Sequence, residues 1–171
     1  MGLKARGYGL LVSNSHRPES LTLTAIPDIP LIQPGDDLLS IVIVALKHAD
    51  FTLADGDALV ISSKIVSKAE GRSVDLRTVQ PGTRAQELAQ ITRKDPRIVE
   101  LVLRESVTVS RTAPGVLVTQ HRLGFVSANA GIDQSNVADD ENLVLLLPEN
   151  PDQSAATLLE GFKRELGVDM A

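Results

Sequence analysis

The chain has 171 residues, enough for one sizeable hydrophobic core and few for two. At 43% hydrophobic and 23% charged residues it has an ordinary globular composition; three Phe, one Tyr and no Trp demand an aliphatic core and exclude base-stacking platforms. A net charge of −5 without a basic run gives nucleic acid no electrostatic footprint, and the lack of cysteine excludes disulfides, thiolate metal sites and cysteine nucleophiles.

Residues 1–20 read as a lead-in, mixed in charge and carrying Gly2, Gly7 and Gly9. Their apolar run, Leu10 to Val12, is too short for a secretory h-region, and no stretch approaches the ~18 apolar residues of a membrane span. A cytoplasmic protein without a membrane partner is expected. From residue 21 to 171 no repeat or composition shift marks a linker, and the stretch reads as the N-terminal portion of one domain. Leu21, Leu23 and Ala25 alternate with Thr22 and Thr24, a strand pattern that ends at Ile26-Pro27-Asp28-Ile29-Pro30, because proline cannot donate into a ladder. Gly35-Asp36 opens a helix with Asp36 as N-cap and Leu38, Leu39, Val42, Ala45 and Leu46 at helical spacing.

Asp55-Gly56-Asp57 marks a turn, and the continuous run Ala58 to Ile61 predicts a strand buried on both faces. Thr83 with Gln86 forms a capping box for a helix carrying Ala85, Leu88, Ala89 and Ile91. Asp95-Pro96 starts the next helix, with Ile98, Val99, Leu101, Val102 and Leu103 along it. Strands follow at Val107–Val109, Val116–Thr119, Phe125–Ser127 and Leu143–Leu147, and the last helix runs from about Ser154 to Leu166, stopped by Gly167. Without a strict βαβ rhythm, this pattern predicts an α+β domain: a mixed sheet, including Leu59–Ile61 and Leu143–Leu147, packed by the Asp36 helix.

Two polar clusters carry candidate chemistry. In Ser62-Ser63-Lys64-Ile65-Val66-Ser67-Lys68-Ala69-Glu70-Gly71-Arg72, hydroxyls and ammonium groups at a strand's C-terminal end suit a phosphate chain. The glycines of a Walker A loop are absent, and the bland alternative is solvated lysines on a polar edge. In Ser127–Val137, Asn129, Asp133, Ser135 and Asn136 surround an Ala-Gly turn, and Gly131 would let a charged group approach the main chain. Such a set ligates a hard cation or binds a polyanion, although turns favour Asx residues for conformational reasons alone. His16, His48 and His121 lack metal-ligand spacing and read as structural or exposed, and Glu100 and Glu105 as solvated helix residues.

Together these segments resemble coenzyme F420:L-glutamate ligase. The resemblance runs in order through Ile29-Pro30-Leu31-Ile32, Gly35-Asp36-Asp37-Leu38, Asp55-Gly56-Asp57, Ile65 to Arg72, Lys94-Asp95-Pro96-Arg97, Glu105-Ser106, Gly124-Phe125-Val126, Asn129 to Val137 and Leu146-Leu147-Pro148. It implies a ligase in which GTP activates the carboxylate of the F420 precursor (F420-0) as an acyl phosphate, which the amine of L-glutamate attacks to build a γ-linked tail. It further implies GTP contacts at Ile29, Pro30, Leu31, Ile32, Ser63, Lys64, Lys68 and Asn136. Asp133 is implied as a divalent-metal ligand for Mg²⁺ or Mn²⁺, Lys68 and Asp133 as the catalytic pair, K⁺ as an assisting ion, and a homodimer as the assembly.

The chain departs from the resemblance in two places. At Lys64 it differs from members that carry a hydroxyl there. The family's Asp-Thr pair, which completes the metal site, and its glycine-rich closing segment would follow Val168-Asp169-Met170-Ala171. Two function classes therefore stand: an active ligase, or an inactive or partner-completed nucleotide-binding module derived from one.

Overall fold

A computed structural model describes residues 21–134 and 141–170. The lead-in over residues 1–20, with His16, and the predicted contacts Ser135 and Asn136 lie outside the described residues.

The elements follow in chain order: α1 (Leu38–His48), α2 (Ser63–Ala69), β1 (Ser73–Asp75), α3 (Thr83–Thr92), α4 (Pro96–Arg104), β2 (Ser106–Ala113), β3 (Val116–His121), β4 (Val126–Ala128), β5 (Leu143–Leu145) and α5 (Pro151–Leu166). Helices and antiparallel strands combine in the α+β class that the pattern of apolar runs predicts. The sheets are two: β2-β3-β4, and β1-β5 with Ser73 opposite Leu145 and Asp75 opposite Leu143. All strand pairs among the described residues are antiparallel, where a mixed sheet was expected.

Sequence signals explain most element ends. Asp95 caps α4, accepting from the Arg97 amide at 2.8 Å, and Pro96 stands where a missing N–H costs nothing. Gly167 ends α5 in the left-handed conformation, donating to the Lys163 carbonyl. Pro114-Gly115 closes the β2–β3 hairpin, with Gly115 at a φ of 77° that a side chain would resist.

Two caps and one helix start differ from expectation. Asp37, not Asp36, caps α1; it accepts from the Leu39 and Ser40 amides, whereas Asp36 accepts from Gln33 and closes the preceding turn. At α3 the cap is Gly82, whose N–H donates to Glu100 at 3.0 Å, so α4 supplies the acceptor that the Thr83–Gln86 box was expected to provide. For α5, Asn150 is the cap, accepting from Gln153, and the helix starts before Ser154.

Two predicted strands are absent. Residues 21–25 and 58–61 are irregular, and Val60 is 90% exposed rather than buried. The physical reason is pairing: among the described residues 58–61 make no main-chain hydrogen bonds that would form a ladder. Leu59 still turns inward, so the run is buried on one side only.

The core has two parts. In the larger, Leu76, Val99, Val102, Leu117 and Val144 fill the space between the α3–α4 pair and the strands. In the smaller, α1 and α5 pack through Val42, Leu46 and Phe162. Gly161 permits this approach, since a Cβ there would stand 2.6 Å from Leu39 Cδ2.

Candidate functional site

The two polar clusters, far apart in sequence, meet where α2 lies against β5. A cavity of about 400 Å³ opens between them, bounded by Ser62, Ser63, Lys64 and Ser67 on one side and by Gly131 and Asp133 on the other. The expected phosphate-binding stretch, placed at a strand's C-terminal end, is largely helical and follows an irregular segment. That geometry places Lys64 and Lys68 one turn apart on the same side of α2.

Asp133 is fixed by its backbone. Its N–H donates to the Leu145 carbonyl at 2.9 Å, and the Leu145 N–H donates back at 2.8 Å, an isolated bridge that extends the β5 edge. Leading into it, Asn129, Ala130 and Gly131 all have left-handed backbones, with φ of 51°, 52° and 70°. For buried Ala130 this conformation costs ~1–2 kcal/mol, strain of the kind that gathers where a loop must hold a shape. The room beside Gly131 is taken by a side chain rather than left for a ligand: a Cβ there would stand 2.8 Å from Leu147 Cδ1. Asn129 Oδ1 and Ser127 Oγ are buried without a hydrogen-bond partner among the described residues.

Across the cavity, Lys64 Nζ stands 2.7 Å from Asp133 Oδ2, with about one third of each side chain exposed (36% and 32%). This ion pair joins two residues that the resemblance assigns to different ligands. Lys68 is half-buried in the last turn of α2, and Ser63 is exposed at the rim.

The expected nucleotide contacts at 29–32 divide. Ile29 and Ile32 line a neighbouring, largely apolar cavity of about 620 Å³, which shares Ser62 with the polar one. Pro30 and Leu31 point to solvent, Leu31 with 84% exposure.

Behind the polar cavity lies a charge network that the sequence reading missed. Glu105, taken as solvated, is 8% exposed. It accepts from Arg72 at 2.9 Å and from Arg122 at 3.2 Å, while Arg72 Nε donates to the Leu147 carbonyl at 2.9 Å. Arg72 thereby fixes the segment that presses on Gly131. His121 is fully buried, stacked on Phe125, with Nε2 at 3.6 Å from Glu105. Burial holds its imidazole below the usual histidine range, against the opposing pull of the Glu105 charge. No local signal marked Glu105, because a carboxylate at a helix end usually meets water and its two arginine partners come from distant segments.

A profile of the family described as F420-0:Gamma-glutamyl ligase matches residues 27–171. The chain belongs to the F420-0:gamma-glutamyl ligase family. It is 40% identical over 151 residues to the coenzyme F420:L-glutamate ligase of Methanothermobacter thermautotrophicus, covering 88% of this chain and 59% of that protein. The ligase of Methanopyrus kandleri is 38% identical, with 88% and 57% covered, and that of Halorubrum lacusprofundi 43% identical, with 83% and 56% covered. The chain thus spans less than three fifths of the length of these curated relatives. Among the described residues of this family member, no helix is long and apolar enough to cross a membrane.

Proposed function

We propose that this chain supplies the nucleotide-facing part of a GTP-dependent ligase that adds L-glutamate to the F420 precursor, F420-0. One observation carries the reading: in a chain of this family, three serine hydroxyls, a lysine and Asp133 converge on one polar cavity. Hydroxyls donate to phosphate oxygens, and lysines supply compact positive charge that stabilises a phosphoryl group in transfer. Lys68, one turn beyond Lys64, is the second cation along the same path. The apolar cavity beside it, with Ile29 and Ile32, suits a base and sugar whose phosphates pass Ser62 into the polar one.

In this mechanism a carboxylate oxygen of F420-0 attacks the γ-phosphorus of GTP, and the bond to the departing GDP breaks. The amine of L-glutamate then attacks the acyl carbon of the resulting acyl phosphate. The carbon–oxygen bond to phosphate breaks, phosphate leaves, and the nitrogen loses a proton to give the amide. Asp133 is a single carboxylate, and among the described residues no group of three His, Asp or Glu side chains gathers to hold a metal ion. The described residues do not fit a resident divalent ion, and no step of this mechanism is assigned to Mg²⁺, Mn²⁺ or K⁺. Completion of such a site would need nucleotide phosphates or residues beyond those described.

A second reading, a module that holds the nucleotide without turnover, is favoured by the lack of a group of three metal-ligating side chains among the described residues. Incubation with GTP, L-glutamate and F420-0, followed by mass spectrometry, tests both. A product heavier by one glutamyl residue supports the ligase; GTP binding without product supports the module; neither one overturns both. The exposed apolar residues Leu21, Leu23 and Val60 support a homodimer as the working assembly. Light scattering on the eluted protein checks this, and a monomer at working concentration contradicts it.

A further inference from the structure

We infer that Arg72 is a positioning residue for the cavity between α2 and β5: its guanidinium sets how closely the wall carrying Gly131 and Asp133 stands to the α2 hydroxyls. The inference rests on the reading of this cavity as the nucleotide site.

Three observations carry it. First, Arg72 is bonded to both walls. Its N–H donates to the carbonyl of Ser67, a buried serine of α2 that lines the cavity, and its own carbonyl accepts from Leu146 on the opposite side. Second, its side chain takes over where strand pairing stops. Pro148 has no N–H to carry the β5 edge onward, and Arg72 Nε donates to the Leu147 carbonyl at 2.9 Å instead. The Leu147 side chain lies against Gly131, which leads to Asp133, so this bond bears on the shape of the cavity. Third, the guanidinium is itself held. Nη2 donates to Glu105 Oε2 at 2.9 Å, both side chains are largely buried, and Arg122 grips the same carboxylate from the β3–β4 turn.

The fork of donors explains why arginine stands here. A planar guanidinium donates along fixed directions, so one group meets a carbonyl and a carboxylate at once; an ammonium is a point charge and cannot hold both at those angles. Lysine at this position would keep the charge beside Glu105 and lose the tie to Leu147. The wall would then be free to move away from Ser62, Ser63 and Ser67, and a bound polyphosphate would lose hydroxyl donors. The main-chain bonds of Arg72 survive the exchange, so the fold persists while the cavity loosens.

Hydrogen–deuterium exchange without ligand and calorimetric titration with GTP, on the full chain, test this in the parent, Arg72→Lys and Arg72→Met. In Arg72→Lys, exchange should quicken about tenfold in peptides covering 130–134 and 145–147, the effect of losing one hydrogen bond to a charged group. Exchange in α3, on the far core, should stay as in the parent, and GTP affinity should fall about tenfold. Arg72→Met, which removes both bonds, should move the same peptides further; Arg72→Lys alone carries the test if that variant does not fold. Equal quickening in α3 would make Arg72 a residue of general stability only and overturn the inference. Unchanged exchange at 130–134 would overturn it too, as would local loosening with unchanged GTP affinity. A parent that binds no GTP sinks the nucleotide reading and the inference together; a parent that binds, beside an unaffected Arg72→Lys, sinks the inference alone.

Discussion

Replacing Glu105 by Gln should destabilise the fold by ~2–4 kcal/mol, more than any exposed charge change. Glu105 is 8% exposed, and its carboxylate receives Arg72 at 2.9 Å and Arg122 at 3.2 Å. Gln keeps the volume and one acceptor oxygen but removes the charge, leaving two guanidinium groups facing each other without an anion. Breaking a buried ion pair costs ~3–5 kcal/mol. Two features reduce that figure here: the Arg122 side chain is one-third exposed (33%), and Arg72 keeps its bond to the Leu147 carbonyl. In a chain of this size the loss corresponds to a fall in Tm of roughly 5–15 °C. Urea unfolding followed by far-ultraviolet circular dichroism measures it, with Arg104→Gln as the reference. That variant breaks an exposed pair with Glu100 and should cost less than ~1 kcal/mol. If Glu105→Gln costs no more than Arg104→Gln, the network does not hold the segment behind the cavity.

Gly131→Ala should cost ~1–3 kcal/mol, from a Cβ 2.8 Å from Leu147 and a φ of 70°; unchanged urea unfolding would show that the loop relaxes freely. Asp95→Ala removes the α4 cap and its pairing with Arg97, and should lower stability by ~1 kcal/mol in the same assay. His121 has a folded-state pKa below its unfolded value of ~6.5, so the unfolded chain binds more protons between the two. Its contribution is therefore complete above ~6.5 and is lost as pH falls from there through the folded value. Stability measured against pH should fall more steeply below ~6.5 in the parent than in His121→Gln, and parallel curves would contradict this.

Local signals in the sequence located most elements, because caps, turns and helical periodicity are written in neighbouring residues. Asp95-Pro96, Gly167 and Pro114-Gly115 act where their chemistry predicts. Failures came where a distant element supplies the partner. The α3 cap is satisfied by Glu100 from α4, and Ala58–Ile61 makes no ladder with any other described residue. The site divides in the same way. Both polar clusters were visible as clusters, but the Lys64–Asp133 contact depends on α2 packing beside β5, which no local pattern encodes. The buried Glu105 was misread because a carboxylate at a helix end usually meets water, and only the fold brings Arg72 and Arg122 to it.

Hydrogen–deuterium exchange with and without GTP tests most directly whether the cavity between α2 and Asp133 receives the nucleotide. GTP should slow exchange in the peptides covering Ser62 to Lys68 and Ala130 to Gln134, with weaker protection around Ile29 to Ile32. The α3–α4 pair, packed on the far core, should exchange as before. Protection confined to other segments, or no change at saturating GTP, would contradict the assignment of this cavity as the nucleotide site.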